Sequence, residues 1–336
     1  MKCGIIGLPN IGKSTFFNII SNSRVLSENF PFCTIEPNYG IIKIPDNRLK
    51  VLNNIVNSTK ITPSEIKIID IAGLIKGAHK GEGLGNKFLS HIREINVIIH
   101  MIRFFDNTEI SHVEGTVDPI RDKEIVDMEL QLKDLETVEN TLKKIYKKKQ
   151  LYEYKNFLKN IISFLKKGQN IRSYPFTKEY EKEYANRLQL LTIKPILYIY
   201  NISELNKKTI FYIEDIKKII EKQNSDLYVF PLKNVTPHDI EKIMKKIQNL
   251  LHLQNFFTVG KNEIRSWIVP TPCTAYEASS YIHTDIQKGF IKAEIIHYND
   301  YITYKSKEKI KTLGKILIVG KKSLINDGDI IHFKFR

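Results

Sequence analysis

Short apolar runs separated by glycines and polar turns fill the first third of the chain. Cys3-Gly4-Ile5-Ile6, Lys67-Ile68-Ile69-Asp70 and Val97-Ile98-Ile99-His100-Met101-Ile102 are continuous and do not alternate, as strands buried on both faces are. Helix-like segments such as Phe16-Phe17-Asn18-Ile19-Ile20 lie between them, so the order predicts a mostly parallel sheet wrapped by crossover helices, an α/β fold. Beyond Pro119 the period changes. Ile125, Met128, Leu132, Leu135, Val138, Leu142 and Ile145 recur by threes and fours in a charged background, one face of a long helix. A second apolar helix over Phe157 to Leu165 follows, and Gly168 to Pro175 breaks it. Lys194 to Tyr200 is a fresh buried strand, Asp226 to Phe230 another, and Ile240 to Leu251 a closing helix. From Leu253 onward, strand-like pieces at 256–259, 264–269, 291–297, 316–319 and 330–335 surround one helix at 275–282, predicting a small mixed sheet curled around it. Residues 1–119 and 191–252 thus read as two parts of one domain, 120–190 as a helical insertion and 253–336 as a separate module.

Gly7-Leu8-Pro9-Asn10-Ile11-Gly12-Lys13-Ser14 stands between the first strand and the first helix. Strand, glycine loop and helix in that order make a phosphate-binding loop. Its glycines permit turns in which the N–H groups of Asn10, Ile11, Gly12, Lys13, Ser14 and Thr15 converge on phosphate oxygens. Lys13 adds a mobile positive charge, and the Ser14 hydroxyl suits a magnesium ion bridging the outer phosphates. Asp70-Ile71-Ala72-Gly73 comes straight off a strand; Asp70 offers a carboxylate to a magnesium-bound water and Gly73 an N–H that can sense a terminal phosphate. Thr34 is either a third oxygen for the magnesium shell or an ordinary loop residue. Asn201-Ile202-Ser203-Glu204 occupies the place of a guanine-reading Asn-Lys-x-Asp. Glu204 is one methylene longer than Asp and crowds the guanine edge, and Ile202 removes the lysine stem that lies along the base. The expectation is ATP over GTP, because buried donors left unpaired discriminate strongly. The alternative is that loop movement absorbs the extra carbon.

Together with Asn29 to Asn38, Gly81 to Leu89 and Ile282 to Phe290, these motifs resemble the YchF/Obg-like ATPase family across nearly the whole chain. The resemblance implies an Obg-type nucleotide domain interrupted by a helical coiled-coil domain, then a TGS domain of β-grasp shape. It also implies ATP hydrolysis with weak base discrimination, and association with ribosomes. It assigns Asn10 to a potassium ion that stands where an arginine finger would, although Asn10 can equally stabilise the turn. His112 matches a histidine placed near the γ-phosphate, with His79 as second choice. Leu74 stands where a water-orienting Gln would follow Gly73, which points to slow turnover or to another group reaching in. The chain departs from the family between Glu204 and Leu253, which is shorter, so no base contact is assigned to Phe230-Pro231-Leu232-Lys233-Asn234.

The 336 residues carry 52 basic and 37 acidic side chains, a net charge of +15. That excess favours a polyanionic partner through counterion release, and RNA-rich assemblies such as ribosomes fit, with no DNA specificity expected. No apolar run approaches the roughly 20 residues of a membrane span, and no signal peptide precedes the phosphate loop, so a cytoplasmic place is expected. Three scattered cysteines exclude a disulfide framework. Two other readings stay open: an Obg-type GTPase, and an RNA-binding scaffold in which nucleotide only stabilises the fold.

Overall fold

Among the described residues the strands run, in chain order, β1 (Lys2–Ile6), β2 (Asn38–Lys43), β3 (Ile61–Thr62), β4 (Glu65–Asp70), β5 (Val97–Phe104), β6 (Ile196–Ile202), β7 (Asp226–Phe230), β8 (Leu253–Val259), β9 (Ile264–Pro270), β10 (Phe290–Ile296), β11 (Leu317–Val319) and β12 (Ile330–Phe335). They form two six-stranded sheets. The computed structural model describes residues 1–21, 37–71, 84–105, 110–146, 152–203 and 207–336. These divide into two units, Met1–Ile42 with Lys67–Lys246, and Lys43–Ile66 with Ile247–Arg336.

In the first unit the strand order is β2-β4-β1-β5-β6-β7, and β4, β1, β5, β6 and β7 pair in parallel. Every residue of β6 is buried, as is all of β5 but its last, which explains their unbroken apolar runs. Parallel pairing brings the carboxyl ends to one edge of the sheet, where such folds bind ligands. The register sets Ile5 beside Asp70 and Ile6 beside His100. Helices of this unit include α1 (Lys13–Ser21), directly after the phosphate loop.

Two long helices follow β5. The second helix of the chain, α2 (Asn47–Val56), belongs to the other unit, and α3 (Leu84–Glu94) precedes β5. α4 (Pro119–Ile145) begins with Pro at its first position and with the Asp118 carboxylate accepting from the N–H groups of Ile120 and Arg121, both at 3.1 Å. It packs against α5 (Tyr152–Lys166) through Val138, Phe157, Leu158, Ile161 and Leu165. The first half of α4 departs from the apolar stripe read from sequence: Met128 is exposed, while Asp122, Lys123, Asp127 and Asp134 are buried. Asp134 explains itself, since it accepts from Leu191 N, Thr192 N and Thr192 Oγ1 at 2.7, 2.8 and 2.6 Å and so ties α4 to the approach of β6. Burial nevertheless pushes its carboxyl up to about 6.

The second unit has the order β11-β10-β12-β8-β9-β3, with β12 parallel to β8, β3 parallel to β9, and the remaining pairs antiparallel. The helix at Ala275–Ile282 covers one face through Ala278, against Phe256, Phe290, Ala293 and Phe333. A second layer, absent from the sequence reading, covers the other face: Leu49 and Leu52 of α2 with Tyr301 and Ile310 against Phe257, Ile264 and Ile330. Residues 43–66, read from sequence with the first domain, supply α2 and β3 to this unit. Arg48 holds α2 in place by pairing with Asp46 at 2.9 Å and Asp327 at 2.7 Å.

Candidate functional site

β1 delivers its chain into the phosphate loop at Gly7, whose φ of 146° belongs to glycine. A Cβ there would lie 2.5 Å from Met101 O and 2.4 Å from Ile11 Cδ1. Asn10 is left-handed at φ 60° and Gly12 has φ 97°, so the loop curls before Gly12 O accepts from Phe16 N at 2.9 Å and α1 begins. This backbone turns the first N–H groups of α1 toward the carboxyl edge of the sheet, an anion site by construction.

Three side chains converge beside it. Lys13 donates to Leu8 O at 2.9 Å and is 9% exposed, and burial lowers its pKa to about 8 against the opposing pull of Asp70. Ser14 Oγ donates to Asp70 Oδ2 at 2.9 Å. Asp70 is buried, which raises its pKa, and its Oδ1 has no hydrogen-bond partner. An ammonium with a depressed pKa wants an anion, and a buried carboxylate oxygen without a donor wants a cation or a water held by one. The donor set therefore fits a hydrated magnesium ion on a phosphate. Among the described residues there is no cluster of three or more His, Cys, Asp or Glu that could hold a metal.

Asn201, at the end of β6, spans the loop from below. Its Nδ2 donates to Ile11 O at 3.1 Å and its Oδ1 accepts from Leu232 N at 3.2 Å. The Leu232 side chain also sits over Gly12, 2.7 Å from where a Cβ would be. The turn at Leu232–Asn234, to which sequence reading gave no role, is thus part of the wall of the site. No motif announces it; the only available signal was its position after the last strand of the sheet. Ile202 is buried beside Asn201.

Asn10 Nδ2 donates to Ser111 Oγ at 3.3 Å and Ser111 O at 3.4 Å. His112 follows, but its ring is occupied: Nδ1 accepts from Glu114 N at 3.1 Å, which leaves Nε2–H to donate to Asp122 Oδ2 at 2.8 Å. Its side chain is 4% exposed. Arg103, buried on β5, anchors this segment by donating to Phe105 O and Ile110 O, both at 3.0 Å. The structure thus brings Asn10, Ile11, Gly12, Lys13, Ser14, Thr15, Asp70, Asn201 and Ile202 to one edge of the sheet, with His112 set back against α4. Thr34, Gly73, His79 and Glu204 lie outside the described residues.

Comparison with known proteins covers the full length. A protein of Buchnera aphidicola subsp. Baizongia pistaciae named "Ribosome-binding ATPase YchF" is 41% identical, with 98% of each chain covered. Its namesake in Bacillus subtilis is 39% identical over 100% of this chain and 99% of its own. The chain belongs to the YchF family. A solved structure of the Schizosaccharomyces pombe YchF GTPase superposes with a TM-score of 0.83 at 35% identity, covering 99% of this chain and 97% of that one. A family model described as "50S ribosome-binding GTPase" matches residues 2–156, and the YchF C-terminal family model, described as a protein of unknown function, matches 253–336. The fold shared with the family is an α/β architecture with a phosphate-loop GTPase-type domain. No helix among the described residues is long and apolar enough to cross a membrane.

Proposed function

We propose that this YchF-family protein is a ribosome-associated nucleotide switch that binds ATP and hydrolyses it slowly to ADP and phosphate. The observation that carries the reading is Asp70, whose buried Oδ1 lacks a donor while Oδ2 holds Ser14, next to a Lys13 starved of an anion. Ser14 and Asp70, together with Thr34, would hold a magnesium ion, which would supply positive charge to the outer phosphates. The main-chain N–H groups from Asn10 to Thr15 grip the phosphates, Lys13 stabilises charge as it spreads over the γ-phosphoryl, and Gly73 N–H senses it. Asn10 would hold a potassium ion, which would supply a further positive charge there. His112 serves the attacking water once it leaves Asp122, with His79 as the other candidate. The names of the relatives support ATP and the ribosome as partners.

The helices α4 and α5 are proposed as the coiled-coil insertion at 120–190 between domain parts 1–119 and 191–252. The module at 253–336 is proposed as a TGS domain of β-grasp shape, supported by a helix lying across a sheet in which β12 runs parallel to β8. The excess of basic residues favours attachment to ribosomal RNA and predicts binding that weakens steeply with salt.

A GTPase is the second reading, favoured by the name of the S. pombe structure and of the matching family model. Base choice is proposed to rest on Asn201, Ile202 and Glu204. Calorimetric titration separates the readings: the protein should bind ATP more tightly than GTP, and Glu204→Asp should move the preference toward GTP. Tight GTP binding with indifference to ATP would overturn the ATPase assignment.

A further inference from the structure

β12 carries more main-chain hydrogen-bonding capacity than its neighbours use. On one side it pairs with β10 from Ile330 to Phe335. On the other, its one register pair with β8 among the described residues is Ile330 opposite Phe257, where Phe257 N donates to Asp329 O at 2.8 Å. At its far end Arg336 N donates to Gly289 O at 3.0 Å, on the β10 side. Alternation along the strand then directs the N–H and C=O groups of Ile330, His332 and Lys334 to β10, and those of Phe333 and Phe335, with Ile331 C=O, away from it. β8 cannot meet them, because it ends at Val259 and turns back through Gly260, whose N–H donates to Glu263 O at 3.0 Å.

Beside this open edge lies a cavity of 550 Å³, walled by the hairpin turn, the end of the 275–282 helix and β12 itself. One wall is apolar, with Trp267, Ile282, Ile286 and Phe333; the other sets Lys307, His332 and Glu294 beside Ile296, Tyr301 and Ile330. Lys307 and Lys334 share Glu294 at 3.7 and 3.8 Å, so two ammonium groups answer one carboxylate. His332 is held below the usual histidine range by burial and by those two lysines, as a locally positive wall requires.

We propose that this cleft binds an extended peptide as an added strand along β12, its alternate side chains apolar toward Trp267 and acidic toward Lys307. Donors and acceptors spaced along a strand edge are matched in register by another peptide main chain, and the two walls read the two faces of that strand. From Ile331 to Phe335 the edge spans about 13 Å, at roughly 3.3 Å per residue, room for three or four residues to pair. A peptide laid there would also cover an edge that otherwise invites unspecific pairing.

Trp267 is the one tryptophan of the chain, so its emission reports on the cleft. Titrating the full-length protein with an eight-residue peptide of alternating valine and glutamate should change that emission saturably. The same peptide N-methylated at every amide should lose binding, and a valine-lysine peptide should bind at least tenfold more weakly. Lys307→Glu, an exposed change, should reverse the charge preference while leaving the fold and nucleotide binding intact. The proposal is overturned if no saturable change occurs, if the N-methylated peptide binds equally, if charge has no effect, or if a single-stranded RNA oligomer saturates the signal and the peptides do not.

Discussion

Lys13 is the residue whose stability and function should oppose each other most openly. It is almost fully buried, and its pKa falls from 10.5 to about 8 with burial as the leading cause. That depression corresponds to roughly 3 kcal/mol by which the charged ammonium disfavours the nucleotide-free fold. Between about pH 8 and 10.5 the unfolded chain binds a proton at this site that the folded chain has released. The free energy of unfolding therefore rises with pH through that window and is lowest, for this group, below pH 8. Replacing Lys13 by Met removes the titration. Urea unfolding of the two nucleotide-free proteins at pH 7.5 and 10 should show the wild type gaining about 2–3 kcal/mol relative to Lys13→Met. Comparing the two proteins cancels every other titrating group. ATP brings phosphate charge to the ammonium and restores its pKa, so binding near pH 9 should take up close to about one proton, measurable by calorimetry in buffers of different ionisation heat. Parallel stability profiles, or binding with no proton uptake, would refute the claim that Lys13 is held in a desolvated state awaiting an anion.

Other perturbations probe the frame around it. Asn201→Ala should orphan the buried Ile11 carbonyl and Leu232 N–H, costing about 2–4 kcal/mol in urea unfolding and weakening nucleotide binding; a loss below about 0.5 kcal/mol would deny the clamp. Gly7→Ala places a methyl against Met101 O at 2.5 Å in a backbone conformation alanine resists, and should destabilise by about 3 kcal/mol or more, with loss of ATP binding; a normal unfolding curve would count against the geometry. Asp122→Ala frees His112 Nε2 and should raise single-turnover hydrolysis by up to about tenfold, the equivalent of one hydrogen bond of roughly 1.4 kcal/mol. The gain should vanish in a His112→Ala background, and persistence there would remove His112 from the mechanism.

What could be read in advance follows from how locally each feature is encoded. Strands buried on both faces, such as β5 and β6, are continuous apolar runs and were legible, as was the phosphate loop, whose strand, glycines and helix are contiguous. Asp70 was legible because it closes an apolar strand run and opens the contiguous motif Asp70-Ile71-Ala72-Gly73. Elements that depend on distant partners were not. α2 is weakly apolar, and only Leu49 and Leu52 are buried, against residues some 200 positions later; nothing nearby tells a reader that it belongs with the C-terminal sheet. The buried half of α4 misled the periodicity argument because carboxylates replace aliphatics wherever a partner waits across the fold. Leu232 escaped for the same reason, since its role is to lie over Gly12 and has no signature of its own.

The polar interior of α4 also bears on how a nucleotide signal could travel. Asp127 lies beneath the helix, paired with Lys123 at 2.7 Å and approached by Arg172 at 3.4 Å and by Tyr198 OH at 3.3 Å. The two cations outweigh desolvation and hold its carboxyl low, while burial drives His100, next to Tyr198, down to about 3 and keeps it neutral. A buried charge set of this kind adds little net stability but tolerates few alternative geometries, because any shift strands a charge. α4 is consequently fixed on the sheet in one position at Asp127, while, among the described residues, its first turn is joined to the phosphate loop through the Asn10–Ser111 contacts and the His112–Asp122 hydrogen bond. A ligand that takes Asn10 from Ser111 would therefore meet little resistance until Asp122. Along this route, coupling from phosphate to helix runs through three exchangeable hydrogen bonds and not through repacking a core, so it can be reversed without unfolding anything.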